Sequence, residues 1–65
     1  MLDELIKAFS IIIKYEPAAY LAAEHDVIYV GGGAEPNEYS REDLASMIDL
    51  GFHWDQEMPC WVKYV

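Results

Sequence analysis

Cys60 and His53 are the residues of this sequence that could supply a nucleophile and its base, on either side of the link Gln56-Glu57-Met58-Pro59. A thiol–imidazole pair is the minimum for nucleophilic catalysis, because the imidazole must take the thiol proton. No family signature surrounds these two residues, and neighbouring acids raise a thiol pKa rather than lower it. A buried structural cysteine is the better account. Asp26 follows His25 and could orient its imidazole, and His25, His53 and Cys60 together contain metal-ligand types. None of the CxxC, HxxxH or HExxH spacings occurs, so no metal centre is expected. His25 is assigned instead to a helix end, where a donor helps the last carbonyls. Gly31-Gly32-Gly33 has the flexibility of a phosphate loop but lacks the following Lys-Ser/Thr, and nearby carboxylates would repel phosphate. It reads as a turn leaving a strand. Carboxylate pairs for acid–base work are numerous, yet all fall on solvent-facing positions where their pKa values stay untuned. The expectation is a non-enzyme with no catalytic residue, cofactor or metal.

The 65 residues carry 12 Asp+Glu against 4 Lys+Arg, for a net charge of −8, while 54% of them are hydrophobic. The length suits one domain, 1–65. Disorder is excluded, because disordered segments combine charge with low hydrophobicity and few aromatics. Here nine aromatics accompany the charge. Direct binding of nucleic acid or of an anionic membrane needs a basic footprint that the chain lacks. One cysteine permits no intramolecular disulfide, and a secreted domain this small would need several, so a cytoplasmic location in a host cell cytosol is expected. The first residues are acidic rather than basic, unlike a signal peptide. No apolar stretch approaches the roughly 18 residues of a membrane span.

Around this chemistry the elements follow from periodicity. Leu2, Leu5, Ile6, Phe9, Ile12 and Ile13 form one helical stripe from Leu2 to Tyr15, leaving Ile11 and Tyr15 on another side. Pro17 ends that helix and opens a predicted second, short one over Ala18 to Glu24, rich in Ala and Leu. Val27-Ile28-Tyr29-Val30 is β-branched and aromatic, hence a strand, and Ala34 to Tyr39 is a loop. Ser40 caps a third helix that packs with Leu44, Met47 and Ile48 and stops at Gly51. Phe52 to Asp55 and Cys60 to Tyr64 form an aromatic hairpin, with Trp54, Trp61 and Tyr64 assigned to the core. The fold class is therefore α+β: one compact domain in the order helix, short helix, strand, helix, β-hairpin, with a three-stranded sheet packed on helices.

The charge is distributed unevenly over these elements. Residues 1–15 contain two acids and two lysines, whereas residues 16–57 contain ten acids and a single base, Arg41. Glu42 and Asp49 share a face of the third helix, opposite Leu44, Met47 and Ile48. Glu35 and Glu38 lie in the preceding loop, and Asp55 and Glu57 mark the hairpin turn. If loop and turn approach the helix, Glu35, Glu38, Glu42, Asp43, Asp49, Asp55 and Glu57 form one anionic ridge. Clustered carboxylates repel one another, which points to a basic partner; the simpler alternative is that they only keep a hydrophobic domain soluble.

Two stretches carry a resemblance. Glu24-His25-Asp26-Val27-Ile28-Tyr29-Val30, and Glu42-Asp43-Leu44 through Leu50-Gly51-Phe52-His53-Trp54-Asp55 to Cys60-Trp61-Val62-Lys63-Tyr64, look like small acidic proteins of phages and mobile elements. In size, charge and layout the chain is most similar to anti-CRISPR proteins directed at type I systems, the type I-C inhibitors in particular. The resemblance implies a non-enzymatic inhibitor that occupies the DNA-binding, PAM-reading surface of a CRISPR effector (Cascade) subunit. The implied partner is a basic nucleic-acid-binding protein, with no direct contact to nucleic acid or membrane. The seven carboxylates above come from this chain's own pattern, as phosphate substitutes. An alternative is a small interaction module or homodimer that binds through exposed apolar and aromatic surface, including Ile11 and Tyr15. A Cys/His hydrolase, which Cys60→Ala would inactivate, is a third.

Overall fold

The computed structural model describes residues 2–64. Its elements are α1 (Leu2–Tyr15), β1 (Leu21–Glu24), β2 (Val27–Val30), a single 3-10 turn (Pro36–Glu38), α2 (Arg41–Asp49), β3 (His53–Asp55) and β4 (Cys60–Tyr64). The strands form one antiparallel sheet in the order β1-β2-β4-β3. The α+β class expected from the sequence stands, with two differences. The sheet has four strands rather than three, and the residues read as a short helix over Ala18–Glu24 instead supply β1. Helix propensity differs by well under about 1 kcal/mol per residue among ordinary residues, so Ala-Ala is a weak vote. Pairing with β2 along Leu21↔Val30 to Glu24↔Val27 outweighs it.

This hairpin also relocates His25. It sits in a two-residue turn between Glu24 and Val27, with φ at +54°, not at a helix end. Among non-glycine residues described it alone has positive φ, the pattern of a turn whose first central position prefers glycine. His25→Gly is expected to raise stability by about 0.5–1 kcal/mol, read as a higher urea midpoint.

Alternation along the strands sends Val30, Trp61 and Trp54 to the helix side, where Val30 and Trp61 join Ala8 and Ile12 of α1, Met47 of α2, and Ala34, Tyr39 and Phe52 in one core. Cys60 and Val62, also buried, lie on the other face. Aromatic contacts run through the core: Tyr15 stacks on Tyr39 at 4.0 Å, and Tyr39 and Trp54 each meet Trp61 edge-on at 5.5 Å. Tyr64, expected in the core, is one residue out of phase with Trp61 and Lys63; it is exposed and stacks on His53.

α1 is turned part of the way from the face its apolar stripe suggested, with Leu5, Phe9 and Ile12 of that stripe still on the core, whereas α2 packs Leu44 and Met47 on the core as expected. On α1, Ala8 and Ile12 are fully buried and Ile11 and Tyr15 pack on the core, while Leu2, Ile6 and Ile13 are exposed. The Tyr15 hydroxyl explains the rotation: it donates to Asp43 Oδ2 (2.6 Å) and accepts from the Ser40 N–H (2.9 Å), tying the end of α1 to the start of α2. On α2, Met47 is buried and Leu44 packs on the core, but Ile48 is exposed. Ser40 caps α2 as expected, its hydroxyl accepting from the Asp43 N–H at 3.1 Å. Gly51 ends the helix with φ at +89°, a conformation that suits glycine. Lys63, reaching in from β4, donates to the Leu50 carbonyl at 2.6 Å, a cation where the helix dipole favours one.

Candidate partner-binding surface

The structure divides the seven candidate carboxylates into those that hold the backbone and those that face outward. Asp43 is the clearest internal case. Its carboxylate accepts from Lys14 Nζ at 2.7 Å and from the Tyr15 hydroxyl, and its side chain is only 16% exposed. The Lys14 bond, with the Tyr15 bond second, holds its pKa below the usual 3.8, while the same contact raises that of Lys14. A carboxylate with a lowered folded-state pKa stabilises the fold above its unfolded value, and that contribution is lost as pH falls through the folded one. Acid unfolding of the wild-type chain should therefore include a component below about pH 4 that Asp43→Asn lacks, measured as the pH dependence of the urea midpoint.

Asp55 and Glu38 also have local duties. Asp55 Oδ1 accepts from the N–H groups of Glu57 (2.9 Å) and Met58 (3.3 Å), closing the β3–β4 turn. Glu38 Oε2 accepts from the Glu35 N–H at 2.7 Å, closing the 3-10 turn. Glu35, Glu42, Asp49 and Glu57 are exposed. Loop and hairpin turn do approach one another: Glu35, Pro36 and Asn37 form one wall of a groove, Gln56 and Pro59 the other, and Trp54 lies between them. Glu42 follows this loop in the first turn of α2. Asp49 stands apart, seven residues or about 10 Å further along the helix, beside Ile6, Lys7 and Ser10 of α1. Trp54, Asn37 and Gln56 join this surface without any signal in the sequence, since only the meeting of loop and turn puts them there.

The glycine loop is tied to the end of α1 by one acid of this chain. Gly31 and Gly32 have positive φ, and the Gly33 N–H donates to Glu16 Oε1 at 2.5 Å. A Cβ on Gly33 would lie 2.5 Å from that oxygen, so the close approach of the Glu16 carboxylate requires glycine there. Behind it, Glu16 Oε2, the Tyr39 hydroxyl and Trp61 Nε1 are buried without a partner of hydrogen-bonding geometry among the described residues. Burial raises the Tyr39 phenol pKa, with the nearby Trp61 indole acting in the opposite direction.

The possible nucleophile is placed unfavourably. The register sets His53 opposite Val62 and Cys60 opposite Asp55, and the imidazole stacks on Tyr64. Burial, with the Asp55 charge second, pushes the Cys60 thiol above its ordinary 9.0. Among the described residues no cluster of three His, Cys, Asp or Glu side chains is arranged to hold a metal, and no helix is long and apolar enough to cross a membrane. Comparison with protein-family models, with curated proteins and with solved structures gives no match.

Proposed function

We propose that this chain is a non-enzymatic acidic inhibitor that binds a basic nucleic-acid-binding protein in place of DNA, its target being the PAM-reading surface of a type I CRISPR effector (Cascade). The observation that carries the reading is that the acidic loop at Glu35 and the β3–β4 turn face each other across one groove, with exposed Glu57 in that turn and exposed Glu42 in the first turn of the helix that follows the loop. Duplex DNA presents one negative charge per roughly 1.7 Å of axis, and a surface built to receive it offers Lys and Arg that also accept carboxylates. The supports of this surface are rigid: Ser40 caps the helix, Glu38 closes the loop and Asp55 closes the turn. A backbone fixed in advance loses little conformational freedom on binding. The PAM-reading target itself comes from the resemblance of the sequence to type I-C inhibitors. The test is displacement: increasing concentrations of the protein should release a PAM-containing duplex from purified type I-C Cascade, in competition with the DNA. Retention of the duplex by Cascade at saturating protein would reject the target.

A further inference from the structure

We propose that a single water molecule is bound between Glu16 Oε2, the Tyr39 hydroxyl and the Trp61 indole N–H, and that through it Glu16 clamps both ends of the acidic loop. This goes beyond the inhibitor reading and does not rest on it. Glu16 continues the last turn of α1, its N–H donating to the Ile12 carbonyl at 2.8 Å. Its Oε1 takes the Gly33 N–H at the start of the loop. Tyr39 stands at the other end, where its N–H donates to the Pro36 carbonyl at 3.1 Å and its ring stacks on Tyr15. Glu35 and Glu38 lie between these two points.

The three polar atoms are neighbours in the core. The hydroxyl and the indole belong to rings that meet edge-on, with centroids 5.5 Å apart. A Cβ at Gly31 would fall 3.0 Å from Glu16 Oε2 and 3.6 Å from Trp61 Cδ1, the carbon bonded to Nε1, so glycine leaves a cradle open between the carboxylate and the indole edge. Burial first, and the Glu16 charge among the further causes, raises the Tyr39 phenol pKa, as expected of a hydroxyl near that carboxylate. Tyr39 is 6% exposed and Trp61 1%, and none of the three atoms has a hydrogen-bond partner among the described residues. Buried polar groups are costly to leave unpaired, so the site calls for a polar occupant.

Donor and acceptor chemistry selects that occupant. The indole N–H only donates, the carboxylate oxygen only accepts, and the phenol hydroxyl does both. An N–H and an O–H donor disfavour a cation here, and the carboxylate disfavours an anion. A neutral molecule that both accepts and donates remains, and water does so with one heavy atom. It would accept from the indole and the phenol and donate to Oε2, three bonds, the usual number for a buried water. Glu16 then holds Gly33 directly and Tyr39 through the water, so the loop between them keeps one course.

Water–protein cross-relaxation, measured by NMR on the whole chain, tests this. The Trp61 indole proton is expected to show a cross-peak to water with opposite signs in the NOESY and ROESY spectra, the mark of a water that tumbles with the protein. In Tyr39→Phe the cross-peak should persist, because Glu16 and Trp61 still hold the water. Its absence from the wild type overturns the proposal, and so does its loss in Tyr39→Phe, which would trace the signal to the hydroxyl proton. The clamp is read from hydrogen exchange of the Gly33 amide, which should quicken by roughly ten- to a hundredfold in Glu16→Ala, the loss of one hydrogen bond to a charged group. Glu16→Gln, which keeps an oxygen for Gly33, should show a smaller acceleration and serves if the Ala variant does not fold. Unchanged exchange in the folded variants overturns the clamp. None of these readouts involves Cascade, so their failure leaves the inhibitor reading standing.

Discussion

Changing Glu35, Glu42 and Glu57 together to Gln is expected to weaken binding to the proposed basic target by about 3- to 140-fold while leaving the fold intact. The estimate follows from exposed ion pairs worth about 0.2–1 kcal/mol each, with every 1.4 kcal/mol a tenfold change in affinity. The three side chains are exposed, and the substitution keeps their shape while taking the net charge from −8 to −5. Stability should hold or rise slightly, since self-repulsion falls. Glu38, Asp43 and Asp55 are left out because their carboxylates receive backbone or side-chain donors, so changing them would mix structural with electrostatic effects. Glu→Asp at the same three positions keeps the charge and should retain most of the affinity. Calorimetric titration of both variants against purified Cascade separates charge from shape. Equal affinity of the Gln variant and the wild type would remove these carboxylates from the interface.

The largest effect on stability is expected at Trp61. This side chain is 1% exposed and touches both Tyr39 and Trp54, so it links the loop before α2 to the β3–β4 hairpin. Truncating a core Trp to Ala typically costs about 3–5 kcal/mol. Native domains have roughly 0.05–0.15 kcal/mol of stability per residue, which for a chain this short is about 3–10 kcal/mol in all. Trp61→Ala should therefore leave the chain largely unfolded at 37 °C, visible as loss of the near-ultraviolet circular dichroism signal and of a cooperative melt. Trp61→Phe, which retains the ring but not the indole N–H, should stay folded with a lower midpoint. A cooperative melt for Trp61→Ala within a few degrees of wild type would contradict the central place of this residue.

Local signals in the sequence were enough for α1, the Ser40 cap, the Gly51 stop, β2 and the aromatic hairpin, because each rests on contacts within a few residues. β1 was hidden because Leu21-Ala-Ala-Glu24 has the composition of a helix and becomes a strand only by pairing. The rotation of α1 was hidden for a similar reason. A stripe of apolar residues indicates which side of α1 can be buried, but the bonds from Tyr15 to Asp43 and Ser40 decide which side is. The same end of α1 explains both surprises: Lys14 and Tyr15 engage the Asp43 carboxylate across the two helices, and the rotation leaves Leu2, Ile6 and Ile13 outside. Glu35, Glu42 and Glu57 could be picked from charge density alone. The groove floored by Trp54 could not, since it exists only because a loop and a turn distant in sequence meet. Glu16 shows the converse: an acid counted with the excess charge is bound to the glycine loop and contributes no outward carboxylate at Oε1.

The central claim is that outward carboxylates replace phosphates on a basic surface, and ionic strength addresses it most directly. The measurement is the dissociation constant of the protein–Cascade complex over a series of salt concentrations, for the wild type and the Glu35/Glu42/Glu57→Gln variant. Electrostatic mimicry requires affinity to fall steadily as salt rises, with a shallower slope for the variant, because fewer charges are screened. An affinity independent of salt, or the same slope for both chains, would contradict it.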